Sequence, residues 1–178
     1  MNPPRIGTLP SGPRDTIGDV GDVRVGHATL DQDAIQTGVT VVVPHAGDPF
    51  IDKIPAAAVV LNGFGKSVGF IQVDELGVIE TPIALSNTFA VGTLMQAQIR
   101  AAMATHPEIG REWPTLNPLI CECNDGYLND IRALAVTEEH YRVALAAAAA
   151  DFAQGSVGAG RGMSAFELKG GLGSASRR

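Results

Sequence analysis

Aromatic side chains make up only 5% of this 178-residue chain, and cysteine occurs twice. With so few large rings, the interior has to be filled by aliphatic and small residues. The 21 glycines and the many alanines let backbones approach closely, which predicts thin, tightly packed layers joined by sharp turns. Cys121 and Cys123 flank Glu122. They are expected to face opposite sides of a strand and to remain separate, buried or half-buried thiols in a reducing compartment, with the cytoplasm as the default. An excess of positive charge is missing as well. The formal net charge is −6 and the nearest approach to a basic cluster is Arg177-Arg178, so there is no electrostatic footprint for nucleic acid. No apolar run reaches the roughly 18 to 20 residues that a membrane span needs, so no membrane partner is expected. Met1-Asn2-Pro3-Pro4-Arg5 has no apolar segment behind it and does not read as a secretory signal.

Several chemistries lack their spacing. No His-x-x-x-His or Cys-x-x-Cys pair offers a metal site, and His27, His45, His106 and His140 are scattered. No Gly-x-Ser-x-Gly elbow occurs. Gly63-Phe64-Gly65-Lys66-Ser67 echoes a phosphate loop, but its first glycine stands at the wrong distance. Neither metal-ligand spacing nor a phosphate loop is therefore read here.

What is present is a composition of 45% apolar and 18% charged residues, which fits one folded domain with a proper core. Residues 1–18, rich in Pro and Gly, predict a loose N-terminal arm, and residues 19–178 a single α/β domain. Val23 to Ala28, Val39 to Val43, Ala56 to Leu61, Ile79 to Leu85, Pro118 to Cys123 and Met163 to Leu168 read as strands. A first helix is predicted from about Thr88 to Thr105, with Val91, Leu94, Met95 and Ile99 at helical spacing and His106-Pro107 as its stop. A second starts at Thr137 as N-cap, with Glu138 and Glu139 in its first turn, and runs through Ala146 to Ala150 to end near Gly155. Strands followed by alternating helix and strand give a mixed, layered α/β domain. It is not a Rossmann unit, because no Gly-x-Gly-x-x-Gly lies between an early strand and a helix.

Chemistry is then expected at the Gly- and Asn-rich junctions after the strands and helices. These are Asn62-Gly63-Phe64-Gly65, Ser86-Asn87-Thr88, Asn124 to Asp130, and Gly155 to Met163. In α/β sheets ligands bind in crevices lined by such loops, and successive glycine amides form anion-holding nests. Taken one at a time, the same dipeptides also serve as ordinary turns and Asx caps.

Read in order, these junctions and their flanks resemble the signatures of the DmpA-type aminopeptidases. They are Leu61-Asn62-Gly63-Phe64-Gly65, Pro82 to Gly92, Asp125-Gly126-Tyr127-Leu128-Asn129-Asp130, Gly158 to Met163, and Phe166 to Arg177. The resemblance spans roughly residues 15 to 178. It implies an αββα layered sandwich of the DmpA/ornithine acetyltransferase-like type, of which this chain would be the α-subunit portion and hence incomplete. It also implies a precursor that cleaves itself ahead of a Ser, whose new free amine then serves as base for its own hydroxyl. Implied substrates are short peptides, amides or esters with a free amino end, and implied partners are a β subunit and further α/β units in a larger oligomer. No cofactor is implied.

Carried over residue by residue, the resemblance implies Asn62, Asn87 and Ser156 in the catalytic machinery, and Glu80, Phe89, Gly158 and Gly160 in substrate binding. Glu80 would meet the substrate ammonium. Ser156 stands where the family usually has an oxyanion-holding Asn, Lys66 where it often has Glu, and Asn124 where an aromatic is usual. The family's chain continues past the Gly-Ser-Ala-Ser-Arg segment to the scissile bond, so the nucleophile is expected on a separate or missing β part. Ser164, Ser174 and Ser176 are internal hydroxyls without a free amine, and the 178 residues alone are expected to be inactive. Two alternatives stay open: a truncated, non-catalytic homologue that binds small amines or oligomerises, and an acyl transfer of the ornithine acetyltransferase kind.

Overall fold

The computed structural model describes residues 6–61 and 63–178. Its centre is a four-stranded sheet whose strands lie in the order 24–32, 35–43, 83–87 and 119–123. Strands β1 (Arg24–Gln32) and β2 (Ile35–Val43) form an antiparallel hairpin around Asp33-Ala34, with Asp33 at a φ of 50°. Strand β5 (Ile83–Asn87) pairs antiparallel with β2, and β6 (Leu119–Cys123) pairs parallel with β5. A parallel pair needs a crossover, and helix α2 (Val91–Thr105) provides it. Isolated bridges extend the sheet on both sides, Val25 to Ala149 beside β1 and Val68 to Ile120 beside β6.

Alternation along the strands sends Ala28, Val39, Val41, Ala84 and Ile120 to one face. There they pack on Leu94 and Ala97 of α2 and on Tyr141 and Ala144 of α3 (Glu138–Ala146) as one core. Small residues set the spacing of these layers. A Cβ on Gly26 would lie 2.0 Å from the Ala144 carbonyl oxygen, so α3 rests almost directly on the β1 backbone. The opposite face carries Val42, Ile83, Leu85 and Cys121, all half-buried, and the exposed Cys123. The turn at Gly158–Gly160 packs across part of it, and at its far end Ile83 and Leu119 meet Val73 and Ile79 in a second small cluster.

Several expectations need correction. Cys121 and Cys123 share a face of β6 instead of facing apart, because alternate residues of a strand point the same way. Both are free thiols. Ala56 to Leu61 is not a strand. Only Ile54–Pro55 (β3) pairs, with Val78–Ile79 (β4), and beyond it Val59, Val60 and Leu61 are exposed with no strand beside them. The run Ile79 to Leu85 breaks before Pro82, which has no N–H to give a ladder. A seven-residue helix α1 (Phe70–Leu76) was not expected; left-handed Gly69 and Gly77 bracket it.

The first expected helix begins as a 3₁₀ turn at Thr88–Ala90 and becomes α2 at Val91. Thr137 does cap α3, but the helix ends at Ala146 and not near Gly155. Ala149 instead exchanges two backbone hydrogen bonds with Val25, at 2.9 and 3.1 Å, so a tertiary contact overrides the helical preference of the alanine run. Met163 to Leu168 folds as a small hairpin, β7 (Ser164–Ala165) and β8 (Leu168–Lys169), with Phe166 and Glu167 both at positive φ in the turn.

The N-terminal arm meets the C-terminal tail. Ser174 Oγ accepts the Ile17 N–H at 2.7 Å, Ser176 Oγ accepts Gly12 N–H at 3.1 Å and donates to Asp19 at 2.6 Å, and Arg177 pairs with Asp15 at 2.5 Å. Residues 1–5 of the expected arm lie outside the described residues. Among the described residues no helix is long and apolar enough to cross a membrane.

Candidate active site

The carboxyl ends of the parallel strands β5 and β6 and the start of β2 converge on a buried polar cluster. Asn87, the last residue of β5, caps the 3₁₀ turn that follows it: its Oδ1 accepts the N–H groups of Phe89 and Ala90 at 3.0 and 3.1 Å. Its Nδ2 donates to Thr37 Oγ1 at 2.9 Å, and the Thr37 hydroxyl donates to Asp125 at 2.6 Å. Asn129 donates to the other oxygen of Asp125 at 3.0 Å and accepts the Gln36 N–H at 2.9 Å. Asp125 is 1% exposed, and Thr37, Asn87 and Asn129 are buried around it. The cluster ties three segments to one carboxylate and is fully satisfied.

Two further features border this end of the sheet. Glu122, half-buried on β6, accepts the Thr88 hydroxyl and the Lys66 N–H, the latter at 2.9 Å. Beside it, burial first and then the charges of Glu122 and Asp125 push the Cys123 thiol up, while burial alone raises Cys121. Neither is an activated thiolate. The glycine turn lies over the open sheet face, with Gly158 N–H on Thr29 Oγ1 at 2.8 Å and Ala159 N–H on Thr40 Oγ1 at 3.1 Å. A Cβ on Gly160 would lie 2.3 Å from the Leu172 nitrogen, so only glycine fits there. Among the described residues no three His, Cys, Asp or Glu side chains converge to hold a metal ion.

The residues expected at the site divide into groups. Asn87, Phe89, Gly158 and Gly160 lie toward this end of the sheet, with Phe89 exposed. The Ser156 hydroxyl is half-buried and meets only the Arg161 carbonyl, at 3.5 Å. The Gly158 and Ala159 amides, expected as a nest, are occupied by threonine hydroxyls. Asn62 lies outside the described residues.

Glu80 precedes β5 and so stands at the end of that strand away from Asn87. It accepts the backbone and side-chain N–H groups of Asn117 at 2.7 and 3.0 Å and pairs with Lys53 at 3.2 Å. Burial alone would raise its pKa, but these donors outweigh it and hold the carboxyl below its ordinary range. A cavity of about 470 Å³ beside it is lined by Phe50, Gln98, His106 and Tyr141. Sequence reasoning missed Thr37, Glu122 and the central role of Asp125. The first two carry no motif; the third was visible as the acidic head of Asp125-Gly126 but read as a turn.

A parallel β-α-β crossover set into a mixed sheet, with α2 and α3 packed on one face, defines an α/β layered protein. Residues 15–178 match Peptidase family S58, and the chain belongs to that family. It is 35% identical over 176 residues to the β-peptidyl aminopeptidase BapA of Sphingosinicella xenopeptidilytica, an alignment covering 93% of this chain and 43% of that protein. Among solved structures it resembles the PH0078 protein from Pyrococcus horikoshii OT3, with a TM-score of 0.95 and 47% identity, covering 97% of this chain and 52% of that one. It also resembles the L-aminopeptidase D-Ala-esterase/amidase of Ochrobactrum anthropi, described as a prototype serine aminopeptidase and a variant of the Ntn hydrolase fold. There the TM-score is 0.82 at 28% identity, covering 92% of this chain and 48% of the other. The chain thus spans about half the length of the proteins it matches.

Proposed function

We propose that these residues are the α portion of a self-processing serine aminopeptidase that removes N-terminal residues from short peptides, amides or esters. The observation that carries this reading is the open, half-buried face of the sheet in a chain spanning about half of its relatives. The glycine turn packs on that face and Asn87 ends a strand of it, with Glu122 next to Asn87 at the same end of the sheet, where a second half would complete a site. The nucleophile is then the N-terminal Ser or Thr of a β part. Its hydroxyl oxygen attacks the substrate carbonyl carbon and its proton passes to the nucleophile's own free amine, which hands it to the leaving amine. Water then attacks the resulting ester, giving up a proton by the same path as the hydroxyl is released.

The role given to Glu80, holding the substrate ammonium, fits Glu122 better. Glu80 is already paired with Lys53, whereas Glu122 borders the Asn87 end and its partners are a hydroxyl and an amide, not a cation. Phe89 offers an exposed apolar contact beside it. One observation favours a non-catalytic reading: the Ser156 hydroxyl points to a carbonyl of its own turn and the neighbouring amides are occupied.

The protein comprising this segment and its continuation should hydrolyse an aminoacyl p-nitroanilide. Glu122→Gln should raise KM about 10- to 100-fold, the equivalent of a lost hydrogen bond to a charged group. Equal turnover of the N-acetylated substrate would rule out the aminopeptidase reading.

A further inference from the structure

His27 of β1 lies on the open face of the sheet, opposite Thr40 of β2 in the ladder. Its Nε2 is 3.0 Å from the Ala153 carbonyl oxygen and its Nδ1 is 2.9 Å from Thr40 Oγ1. A carbonyl can only accept, so Nε2 carries the hydrogen. Burial, the larger influence, lowers the imidazole pKa from its ordinary value and outweighs the opposing effect of the Ala153 carbonyl. The ring is therefore neutral near pH 7 and its Nδ1 is an acceptor. The Thr40 hydroxyl must then donate to Nδ1, leaving its oxygen to accept the Ala159 N–H at 3.1 Å.

The bonds run in a single direction. Ala159 N–H donates to Thr40, Thr40 to His27, and His27 to Ala153. Both ends of the 153–159 segment are thereby fastened to the sheet through one imidazole and one hydroxyl. The fit leaves no slack: Gly158 sits at a φ of 50°, and a Cβ there would lie 2.4 Å from Thr40 Oγ1 and 2.8 Å from His27 Nδ1. Phe152 closes over the ring edge-on, with centroids 6.1 Å apart.

From this geometry we infer that His27 is a positioning residue, which acts through Thr40 to hold the Gly158–Gly160 turn in its active shape. The inference rests on the reading of that turn as a wall of the hydrolytic site. Protonation makes Nδ1 a donor, so the Thr40 hydrogen loses its acceptor and the Thr40 oxygen must serve two donors at once. The groups against the ring are Thr40 from β2, Phe152 and the Ala153 carbonyl from the loop, and the Gly158 backbone from the turn. No charged side chain sets its titration, and Asp151, next along the loop from Phe152, is paired with Arg14 at 3.2 Å.

The test uses the full-length protein with an aminoacyl p-nitroanilide. Wild-type kcat should fall on the acid side with an apparent pKa below about 6.5, the ordinary histidine value. His27→Phe should remove the His27 ionisation from that limb, leaving the one set by the nucleophile's own amine, and lower kcat about tenfold at unchanged KM, less than the 10²–10³ of removing an oxyanion donor outright. Thr40→Val should lower kcat similarly, and Thr40→Ser should restore it. If His27→Phe does not fold, the Thr40 pair decides alone. Unchanged kcat and acid limb in folded variants overturn the inference. If the wild-type protein shows no turnover, the functional reading of the turn is what fails, and NMR decides the latch. An Nε2–H tautomer, with an Ala159 amide that titrates with His27 in wild type and not in Thr40→Val, supports it; an Nδ1–H tautomer or a pH-indifferent amide overturns it.

Discussion

Asp125 holds its place without a cation. Thr37 and Asn129 supply its hydrogen bonds, and through Thr37 it fixes Asn87 and so the start of α2. Removing the carboxylate would strand a buried hydroxyl and a buried amide together. Asp125→Ala is therefore expected to cost about 1–3 kcal/mol for each group left unpaired. Urea unfolding monitored by circular dichroism would measure it, and a loss under about 0.5 kcal/mol would show that water takes over those bonds. The residues around Asp125 illustrate what one-dimensional reading can reach. Asn87 and the Asp125-Gly126 junction stand out as sequence, but Thr37 and Glu122 do not. They belong to the site only because antiparallel pairing of β2 with β5 and parallel pairing of β5 with β6 set them beside Asn87. For the same reason Glu80 and Asn87, both near β5 in sequence, end up at opposite ends of a strand.

At the scale of elements, α3 and β1 depend on close approach. Gly26 faces the Ala144 carbonyl oxygen, where a Cβ would lie 2.0 Å away, and the obstacle is backbone, which cannot swing aside. Gly26→Ala should force α3 outward and destabilise the fold by about 1–3 kcal/mol, the usual range for overpacking. Thermal unfolding of the variant would record it, and an unchanged midpoint would mean that the layers are less rigid than this contact requires. Helices α2 and α3 were legible because their caps and periodicity are local: Thr137 with two glutamates, and apolar residues recurring from Val91. Their ends were less so. The alanine run has the strongest helical preference in the chain, yet Ala149 leaves the helix for the free edge of β1. Helix α1 was missed because it is short and buries only Gln72 and Val73, too little to register as a pattern.

The whole molecule is lopsided. One face of the sheet is sealed by α2 and α3, while the other carries the Gly158 turn and the small cluster of Leu119 with Val73 and Ile79 and leaves Val42, Leu85 and Cys121 half-buried. Val59, Val60, Leu61 and Phe64 add an exposed apolar stretch, with Leu61 at 93% and Phe64 at 82%. Such surfaces pair or aggregate in water. The 178 residues produced alone are expected to oligomerise or aggregate, and gel filtration giving a monodisperse, heat-stable monomer would contradict this. The failed expectation of a strand at Ala56 to Leu61 belongs to this scale. Its residues have strand preference, but a strand exists only when a neighbour takes its backbone hydrogen bonds, and among the described segments that neighbour stops at Gly77, whose carbonyl accepts the Ala56 N–H.

The sequence by itself determined the class of fold, the family and the order of the glycine- and asparagine-rich junctions, since composition, caps and motifs are written locally. Tertiary structure alone decided which junctions meet, which carboxylate borders them, and that one imidazole and one hydroxyl fasten the glycine turn. Those are contacts between residues tens of positions apart, and only strand pairing and register fix them.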